Sequence, residues 1–469
     1  MINISKKTLQ DLEFESVIQQ VASHNVTSLG KNEILATLPF SQREDVIQAL
    51  RLTNEFVSSF DNENRIPNHG FDAITAELKL IRIENNYLEI DGFRKIASIC
   101  VTTNILLKFF KKFHEYYPLL HKVSLQLEAN KDIPEAIHSV VDKFGEIRND
   151  ASDTLYGLRK SIQSVRTKIN TSFNSALSMY NSAEYLDDIR ETVMENRRVL
   201  AVKAMHRRKV KGSILGSSKT GSIVYIEPDT TQQHQRDLNN LEFEETEEIK
   251  RILLELTSFI SGYSPLLESY QKFLTKIDVI YAKAKYAKVI DAVLPEVTKH
   301  QEIDLVDAYH PLLLVANKSE GITTFPQTIT MTTDSRIIVI SGPNAGGKSI
   351  TLKTVGLLQL MVQSGMLIPV HERSKLCLFD SILSDIGDNQ SIENHLSTYS
   401  YRLKQVNYFL KKCNKHTLFL ISFCLSARSV FSSLERSFCS FAMVLSNRIL
   451  PRSIFFLDRL IKLKGMPFF

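Results

Sequence analysis

Eight consecutive residues have the types and spacing of a phosphate-binding loop, namely Gly342, Pro343, Asn344, Ala345, Gly346, Gly347, Lys348 and Ser349. In such a loop the glycines let main-chain N–H groups come close to phosphate oxygens, and the lysine reaches the β- and γ-phosphates. The hydroxyl of Ser349 is expected to ligate Mg²⁺. The segment therefore predicts a site for ATP with Mg²⁺.

The segments on either side of this loop supply the elements that would position it. The apolar run 336–340 predicts a buried strand, and residues 350–358 predict a helix. A strand, a glycine loop and a helix in this order place the first N–H groups of the helix against the phosphates. Further along, Ser397 or Thr398 can cap a helix over 401–410, whose N-terminus is expected to give a second nucleotide contact.

A second group of residues suited to chemistry lies between two long predicted helices. No acidic residue occurs from 196 to 226, and the runs 199–204 and 222–226 predict strands joined through glycine-containing turns. Cations in this stretch suit a nucleic-acid phosphate backbone. They include Arg197, Arg198, Arg207, Arg208, Lys209, Lys211 and Lys219. The alternative interpretation is a solvated, charged hairpin that binds nothing.

Hydrophobic periodicity predicts a multidomain protein of α and α/β class. Apolar residues recur every three or four positions in two long stretches, whereas the period is two between them. The predicted segments are a helical core over 1–150, a long helix over 151–184, a basic β-rich module over 185–230, returning long and core helices over 231–302, a P-loop domain over 303–421, and an aberrant tail over 422–469.

Composition limits the classes of partner and the compartment. The net charge of +5 arises in residues 422–469, which hold seven basic and two acidic residues, so the rest of the chain is balanced. Global charge therefore does not identify a partner. No apolar run approaches the roughly 20 residues that cross a bilayer, so no membrane partner is expected. The N-terminus lacks the pattern of a secretory signal, and five cysteines without metal-ligand spacing favour a cytoplasmic location.

Several segments together resemble the MutS family of DNA repair ATPases, in its second bacterial branch of MutS-like endonucleases or recombination suppressors. The resemblance extends from residue 1 to about 421. It is carried by the nucleotide loop 341–349, by 351–358, 385–392 and 396–400, by Tyr309, His310 and Pro311 ahead of the loop, and by the clamp segments 198–204 and 225–228.

The resemblance implies a helical core with levers and a clamp, followed by an ABC-type ATPase domain that forms a homodimer. It names the predicted segments as the core over 1–150, a lever helix over 151–184, the clamp over 185–230, the returning lever and core helices over 231–302, and the N-terminal part of the P-loop ATPase domain over 303–421. In such a dimer, Ser397 and Thr398 would contact the nucleotide held by the other subunit. Family members bind branched DNA and restrain recombination, and some act on stalled ribosomes. The implied partners are therefore branched or duplex DNA and ribosomal RNA. The nuclease activity of the family lies in a C-terminal domain that is not recognised in this sequence.

The sequence departs from the family pattern after residue 421. The pattern requires Asp-Glu at this point, the Asp for Mg²⁺ and the Glu to orient the attacking water. This chain has Ser422 and Phe423 instead, so no catalytic residue is intact. The tail that follows has nine Ser and eight Phe in residues 422–469, which predicts out-of-frame translation from about codon 422. A natural divergent tail is the alternative.

Three consequences are expected from this departure. ATP hydrolysis should be severely reduced, because the acid pair is missing. Strand cleavage is not expected. The ATPase sheet should lack some of its cover, which would leave Val339, Leu357 and Phe419 partly exposed.

Two functions from different classes remain open. The first is a MutS-type DNA-binding ATPase that is defective in turnover. The second is a nucleic-acid- or ribosome-binding clamp that works without turnover. A chromosome-organising ATPase fits less well, because its phosphate loop would precede the coiled coil rather than follow the helices.

Overall fold

The computed structural model describes residues 3–342, 347–386, 414, 416–424 and 440–446. Contacts divide the chain into two compact units. The first comprises Met1–Ala73, Thr102–Ala129 and Gln271–Phe469, and the second comprises Ile74–Val101 and Asn130–Tyr270. The described part is mixed helical and α/β, with three sheets.

The helices of the described part are α1 Lys6–Asp11, α2 Phe14–Ala22, α3 Ser28–Leu35, α4 Arg43–Ser58, α5 Thr75–Leu80, α6 Ile90–Lys112, α7 Pro118–Ser124, α8 Asp132–Val140, α9 Asp153–Ser182, α10 Asp229–Ser261, α11 Ser264–Val289, α12 Pro311–Glu320 and α13 Lys348–Gln363. The strands are β1 Asn3–Ile4, β2 Leu186–Met194, β3 Arg197–Lys203, β4 Gly212–Ser217, β5 Ile223–Pro228, β6 Glu296–Val297, β7 Ile303–Ala308, β8 Gln327–Met331, β9 Ile337–Gly342, β10 Lys375–Leu376, β11 Ser381–Asp385, β12 Thr417–Cys424 and β13 Ser440–Ser446. Within these ranges, no helix is both long enough and apolar enough to cross a membrane.

The largest sheet belongs to the first unit and has the order β1-β11-β12-β13-β9. Strands β1, β11 and β12 pair in parallel, whereas β13 is antiparallel to both β12 and β9. Because β13 reverses direction relative to both neighbours, β9 runs the same way as β11 and β12. The carboxyl ends of β9, β11 and β12 therefore lie at one edge of the sheet, which is where ligands bind in open α/β sheets.

Helix α13 packs on this sheet with the N-terminal segment. A Cβ atom added to Gly356 would lie 2.5 Å from Leu420 Cδ1 and 2.6 Å from Leu12 Cδ2. Glycine is therefore required where α13 approaches both β12 and the end of α1. The same cluster of buried residues contains Leu357, Leu418 and Leu420. The N-terminal helices thus form part of the core of the sheet domain.

The expected exposure of three apolar residues is only partly confirmed. Val339 is 48% exposed, but Leu357 is fully buried and Phe419 is 2% exposed, so the expectation is wrong for these two. Leu357 belongs to the core cluster that the N-terminal helices complete. Phe419 lies on a central strand, in register with Leu383 of β11 on one side and with Leu445 of β13 on the other.

A smaller sheet of the first unit has the order β6-β10-β7-β8. Strand β10 pairs in parallel with β6 and antiparallel with β7, and β7 pairs antiparallel with β8. Buried Ile303 and Leu305 of β7 join the core cluster that also holds α13. This sheet therefore packs into the same core as α13, the helix that follows the phosphate-binding segment.

In the second unit the two longest helices run antiparallel. Ion pairs join Arg159 to Glu245 at 2.7 Å and Arg166 to Glu242 at 2.8 Å. The residue numbers of the partners rise along α9 and fall along α10, as expected for antiparallel helices. The hydroxyl of Ser152, which caps α9, donates to Glu248 at 2.7 Å. These contacts hold the two helices side by side.

A four-stranded antiparallel sheet of order β2-β3-β5-β4 lies between α9 and α10 in the sequence. Strands β2 and β3 are joined by Glu195 and Asn196, whose φ angles of 49° and 60° are typical of a type I′ hairpin turn. The sequence predicted two strands here, which correspond to β3 and β5, and the structure adds β2 and β4 to the same sheet. Strand β4 was expected to be a turn because it contains Gly212 and Gly216, but it pairs with β5 across a bulge.

Candidate nucleotide and nucleic-acid sites

The phosphate-binding segment connects β9 with α13. Strand β9 ends at Gly342 and α13 begins at Lys348, while Pro343, Asn344, Ala345 and Gly346 lie outside the described residues. Gly347 has a φ of +74°, a left-handed conformation that glycine adopts without strain. This backbone angle turns the chain directly into the helix.

The N-terminus of α13 has the features of an anion site. Gly347 is the N-cap, and no described side chain caps the helix there. The first N–H groups of a helix have no partner within it, so they can donate to a ligand. Lys348 is buried and Ser349 is exposed at the first two helical positions. The described residues therefore fit a bound phosphate group.

The carboxyl edge of the sheet lacks the expected acid pair. Ser422 and Phe423 lie on β12, directly after Ile421. Ile421 is in register with Asp385, the last residue of β11, which is buried and paired with Lys7 at 3.1 Å. Asp385 begins the segment 385–392 that carries the family resemblance, but sequence reasoning assigned it no role, although its position at the end of a buried strand is a usable signal. The neighbouring carboxylate is thus already engaged.

The described residues offer little for a metal ion. They contain no group of three or more His, Cys, Asp or Glu residues that could hold one. The hydroxyl of Ser349 remains one possible Mg²⁺ ligand at the helix N-terminus. Ser397 and Thr398, predicted to contact a nucleotide in the other subunit, lie outside the described residues.

His310 has a structural part in the domain that contains the phosphate-binding segment. Its Nδ1 accepts the N–H of Leu313 at 3.4 Å and caps α12. Burial lowers the pKa of His310 to about 4, which outweighs the opposing charge of Glu13. The imidazole is therefore neutral at physiological pH, as its role as an acceptor requires.

Two of the seven predicted nucleic-acid contacts are engaged inside the second unit. Arg197 pairs with buried Glu227 at 3.1 Å. Arg198 pairs with Glu191 at 2.6 Å, and its guanidinium lies 4.2 Å from the centre of the Phe173 ring. It also donates to two asparagine side chains of α9. These arginines join the sheet to its neighbours.

The other five predicted contacts have exposed side chains. They are Arg207, Arg208, Lys209, Lys211 and Lys219. Three of them follow the short 3₁₀ helix Ala204–His206, and the ammonium of Lys209 lies 5.2 Å from the centre of the Tyr185 ring. We refer to these five residues as the basic surface. Exposed cations of this number can contact successive phosphates of a nucleic acid.

Comparison with known proteins agrees with the geometry of the sheet. The family model for MutS domain V matches residues 338–424, which contain α13, β10, β11, β12 and all of β9 except its first residue. The chain is 32% identical over 417 residues to Endonuclease MutS2 of Geobacillus sp., and 31% identical over 421 residues to Endonuclease MutS2 of Staphylococcus carnosus. Endonuclease MutS2 of Alkaliphilus oremlandii is 30% identical over 419 residues.

The chain belongs to the MutS family. The three relatives place it in the second branch of that family, as the sequence motifs predicted. The matches cover 88% of this chain for the first two relatives and 89% for the third. The chain spans about half the length of these curated relatives, 52% of the first and third and 53% of the second.

The family match ends close to the point where this MutS-family chain departs from the family pattern. It ends at Cys424, two residues after Ser422, and β13 lies beyond it. Strand β13 nevertheless pairs with β12 through seven residues and with β9 through six. A strand from outside the family match is therefore inserted between the strand of the phosphate-binding segment and the strand that lacks the acids.

Proposed function

We propose that this MutS-family chain binds ATP and nucleic acid, that it acts on branched or recombining DNA as a homodimer, and that its ATP hydrolysis is severely reduced. In this proposal residues 303–421 form the N-terminal part of a P-loop ATPase domain, and residues 185–230 form a clamp carried by lever helices. The observation that carries it is the start of α13, where Gly347, Lys348 and a helix N-terminus that no described side chain caps come together.

The residues at this helix have separate tasks in ATP binding. The main-chain N–H groups of the first turn donate to phosphate oxygens, and Gly347 holds the turn open without a side chain in the way. Lys348 adds a positive charge for the β- and γ-phosphates. Ser349 supplies a hydroxyl to Mg²⁺, which neutralises phosphate charge when bound.

Reduced hydrolysis is supported by the residues on β12. Hydrolysis needs a carboxylate to hold the metal and a second one to orient the attacking water. Ser422 lacks a negative charge and Phe423 lacks any polar group. The proposal is therefore a site that holds ATP without rapid turnover.

Nucleic-acid binding is supported by the basic surface. Its five side chains are exposed, and the segment 196–226 has no acid to neutralise them. Phosphate contacts of this kind give affinity that depends on salt but not on base sequence. DNA or RNA would therefore bind at the clamp.

A second candidate function is favoured by the same missing acids. A clamp that needs no ATP turnover could act on ribosomal RNA in a stalled ribosome. Equilibrium binding of a fluorescent four-way DNA junction and of purified ribosomes separates the two. Junction affinity at least tenfold above that for an equal-length duplex supports the first candidate, whereas preference for ribosomes supports the second.

ATP binding is tested by titration with a fluorescent ATP analogue. Lys348→Ala should weaken binding about 30-fold or more, because a charged contact to phosphate is lost. Lys353→Ala is the matched control, since Lys353 lies on the same helix but pairs with Glu13 at 2.6 Å. Equal affinities in the wild type and Lys348→Ala would refute the proposed nucleotide site.

A further inference from the structure

A cavity of about 460 Å³ lies in the first unit, between α3, α4 and α11. This volume falls within the range of small-molecule sites. Its apolar wall is formed by Leu29, Phe40, Leu52, Val279 and Ile280. A ligand here would therefore place an apolar body against this wall.

One polar group at the cavity is a buried cation. Lys283 lines the cavity and is 7% exposed. Its ammonium donates to the carbonyl of Ser364 at 2.8 Å. Among the described residues this is its one hydrogen bond, although an ammonium has three donors. The ammonium also lies 6.0 Å from the centre of the ring of Phe40, which lines the cavity as well. Two of its three donors thus remain for an acceptor.

The ionisation of Lys283 agrees with this shortage of acceptors. Burial lowers the pKa of Lys283 to about 8, and the negative charge of Glu33 only partly opposes the shift. A buried ammonium without a carboxylate partner is costly, so an anion that reaches it would recover free energy. An anion at this site would therefore supply the charged partner that Lys283 lacks among the described residues.

The other charged residues of the lining favour an anion as well. Lys272 and Lys276 are exposed and line the cavity from the same helix as Lys283. Glu33 is the acidic residue among those that line it. Three cations and one carboxylate leave an excess of positive charge, which attracts an anion and repels a metal ion.

We propose that this cavity binds an amphipathic organic anion, whose apolar body packs on the wall formed by Leu29, Phe40, Leu52, Val279 and Ile280 and whose carboxylate or phosphate accepts from Lys283. The two head groups share the chemistry that the site needs, namely oxygen acceptors with a negative charge. The body is aromatic or branched aliphatic and small enough for the cavity. This site is separate from the N-terminus of α13, because Ser364 follows the opposite end of that helix.

The proposal is tested with 8-anilinonaphthalene-1-sulfonate as a fluorescent probe, displaced by 1-naphthoate or by 1-naphthyl phosphate. The wild type should bind one equivalent with saturation, and the stronger competitor identifies the preferred head group. Lys283→Met keeps most of the side-chain volume and should weaken binding about tenfold or more. Lys285→Met is the matched control, because Lys285 lies on α11 with its ammonium 5.0 Å from the Phe60 ring and does not line the cavity.

A second variant leaves the buried Lys283 unchanged, so that a loss of binding cannot be caused by a disturbed core. Lys272 and Lys276 are exposed, so Lys272→Glu with Lys276→Glu should fold and should still lower affinity several-fold. Thermal unfolding of each variant checks that it is folded. Absence of saturable binding in the wild type, or unchanged affinity in folded Lys283→Met and in the double variant, would overturn the proposal.

Discussion

We propose that two regions of this chain bind phosphate, and that they do so by different means. At the start of α13 the binding groups are main-chain N–H groups, placed by the left-handed Gly347 and supplemented by Lys348. On the basic surface the binding groups are five exposed side chains without a comparable backbone arrangement. The first region should therefore depend on backbone conformation, and the second on the number of charges and on salt.

The comparison also shows that residue type alone does not assign a role. Arg198 was predicted to contact nucleic acid, yet its guanidinium pairs with Glu191 and lies over Phe173. Arg207 is the same type of residue in the same acid-free segment, but its side chain is exposed. A charge that is already paired inside the fold contributes to stability, whereas an exposed charge is available to a partner.

The largest expected effect comes from removing charge on the basic surface. Replacing Arg207, Arg208 and Lys209 together with Gln should weaken binding to duplex DNA about 100-fold at low salt, because three phosphate contacts are lost. The slope of log affinity against log salt should become shallower by about 2 to 3. Fluorescence anisotropy over a salt series measures both quantities.

A control variant with the same change in net charge tests whether the position of the charges matters. Lys108, Lys111 and Lys112 are exposed on α6, and their replacement with Gln removes three positive charges elsewhere. This variant should retain affinity within a few-fold. An equal loss in both triple variants would show that binding follows total charge rather than the basic surface.

A smaller effect is expected from packing under α13. Gly356→Ala places a methyl group 2.5 Å from Leu420 Cδ1 and 2.6 Å from Leu12 Cδ2. Since side chains must shift, the free energy of unfolding should fall by about 2 kcal/mol. Urea denaturation measures it. Unchanged stability would argue against the docking of α1 on α13.

The internal role of Arg198 predicts a change in stability rather than in affinity. Arg198→Gln removes the ion pair with Glu191 and the contact with Phe173, so the free energy of unfolding should fall by about 1 kcal/mol. The salt slope of DNA binding should stay the same. A shallower slope in this variant would instead place Arg198 among the residues that contact phosphate.

The smallest expected effect distinguishes two glycines at which an added Cβ would contact no described residue within 4 Å apart from neighbours in the chain. Gly347→Ala should destabilise the protein by about 1 kcal/mol, because an L-residue is strained at φ +74°. Gly157→Ala, within α9, should stabilise it by about 0.5–1 kcal/mol, because alanine favours a helix. Thermal unfolding measures the change in stability for both variants. If both substitutions changed stability in the same direction, this explanation would be contradicted.

Local features of the phosphate-binding region could be predicted from sequence. The strand expected over 336–340 is β9, and the helix expected over 350–358 lies inside α13. The expectation that the strand is buried is wrong, because Ile337 and Val339 of β9 are exposed. Both elements follow from apolar periodicity next to a glycine loop, which acts over a few residues. The same holds for β3 and β5, although both extend beyond the runs that predicted them.

Non-local features could not be predicted in this way. Strand β1 pairs with β11 far along the chain, through Asn3 with Ser381, and nothing in a two-residue strand signals that partner. Strand β13 enters between β12 and β9 from a segment with an unusual composition. The burial of Leu357 and Phe419 depends on such long-range packing, which explains why their predicted exposure was wrong.

The predicted change of reading frame near codon 422 has a direct genetic test. Resequencing of the locus should reveal an Asp-Glu frame one nucleotide away from the frame that encodes Ser422 and Phe423. A confirmed sequence without such a frame would favour a natural divergent tail.

The central claim is that the chain holds ATP at α13 without rapid hydrolysis, because Ser422 and Phe423 stand where carboxylates are needed. Steady-state phosphate release with Mg²⁺ and saturating ATP tests it most directly, on protein whose ATP binding has been measured. We predict saturable binding with turnover no greater than that of Lys348→Ala. Mg²⁺-dependent turnover that Lys348→Ala abolishes would contradict the claim.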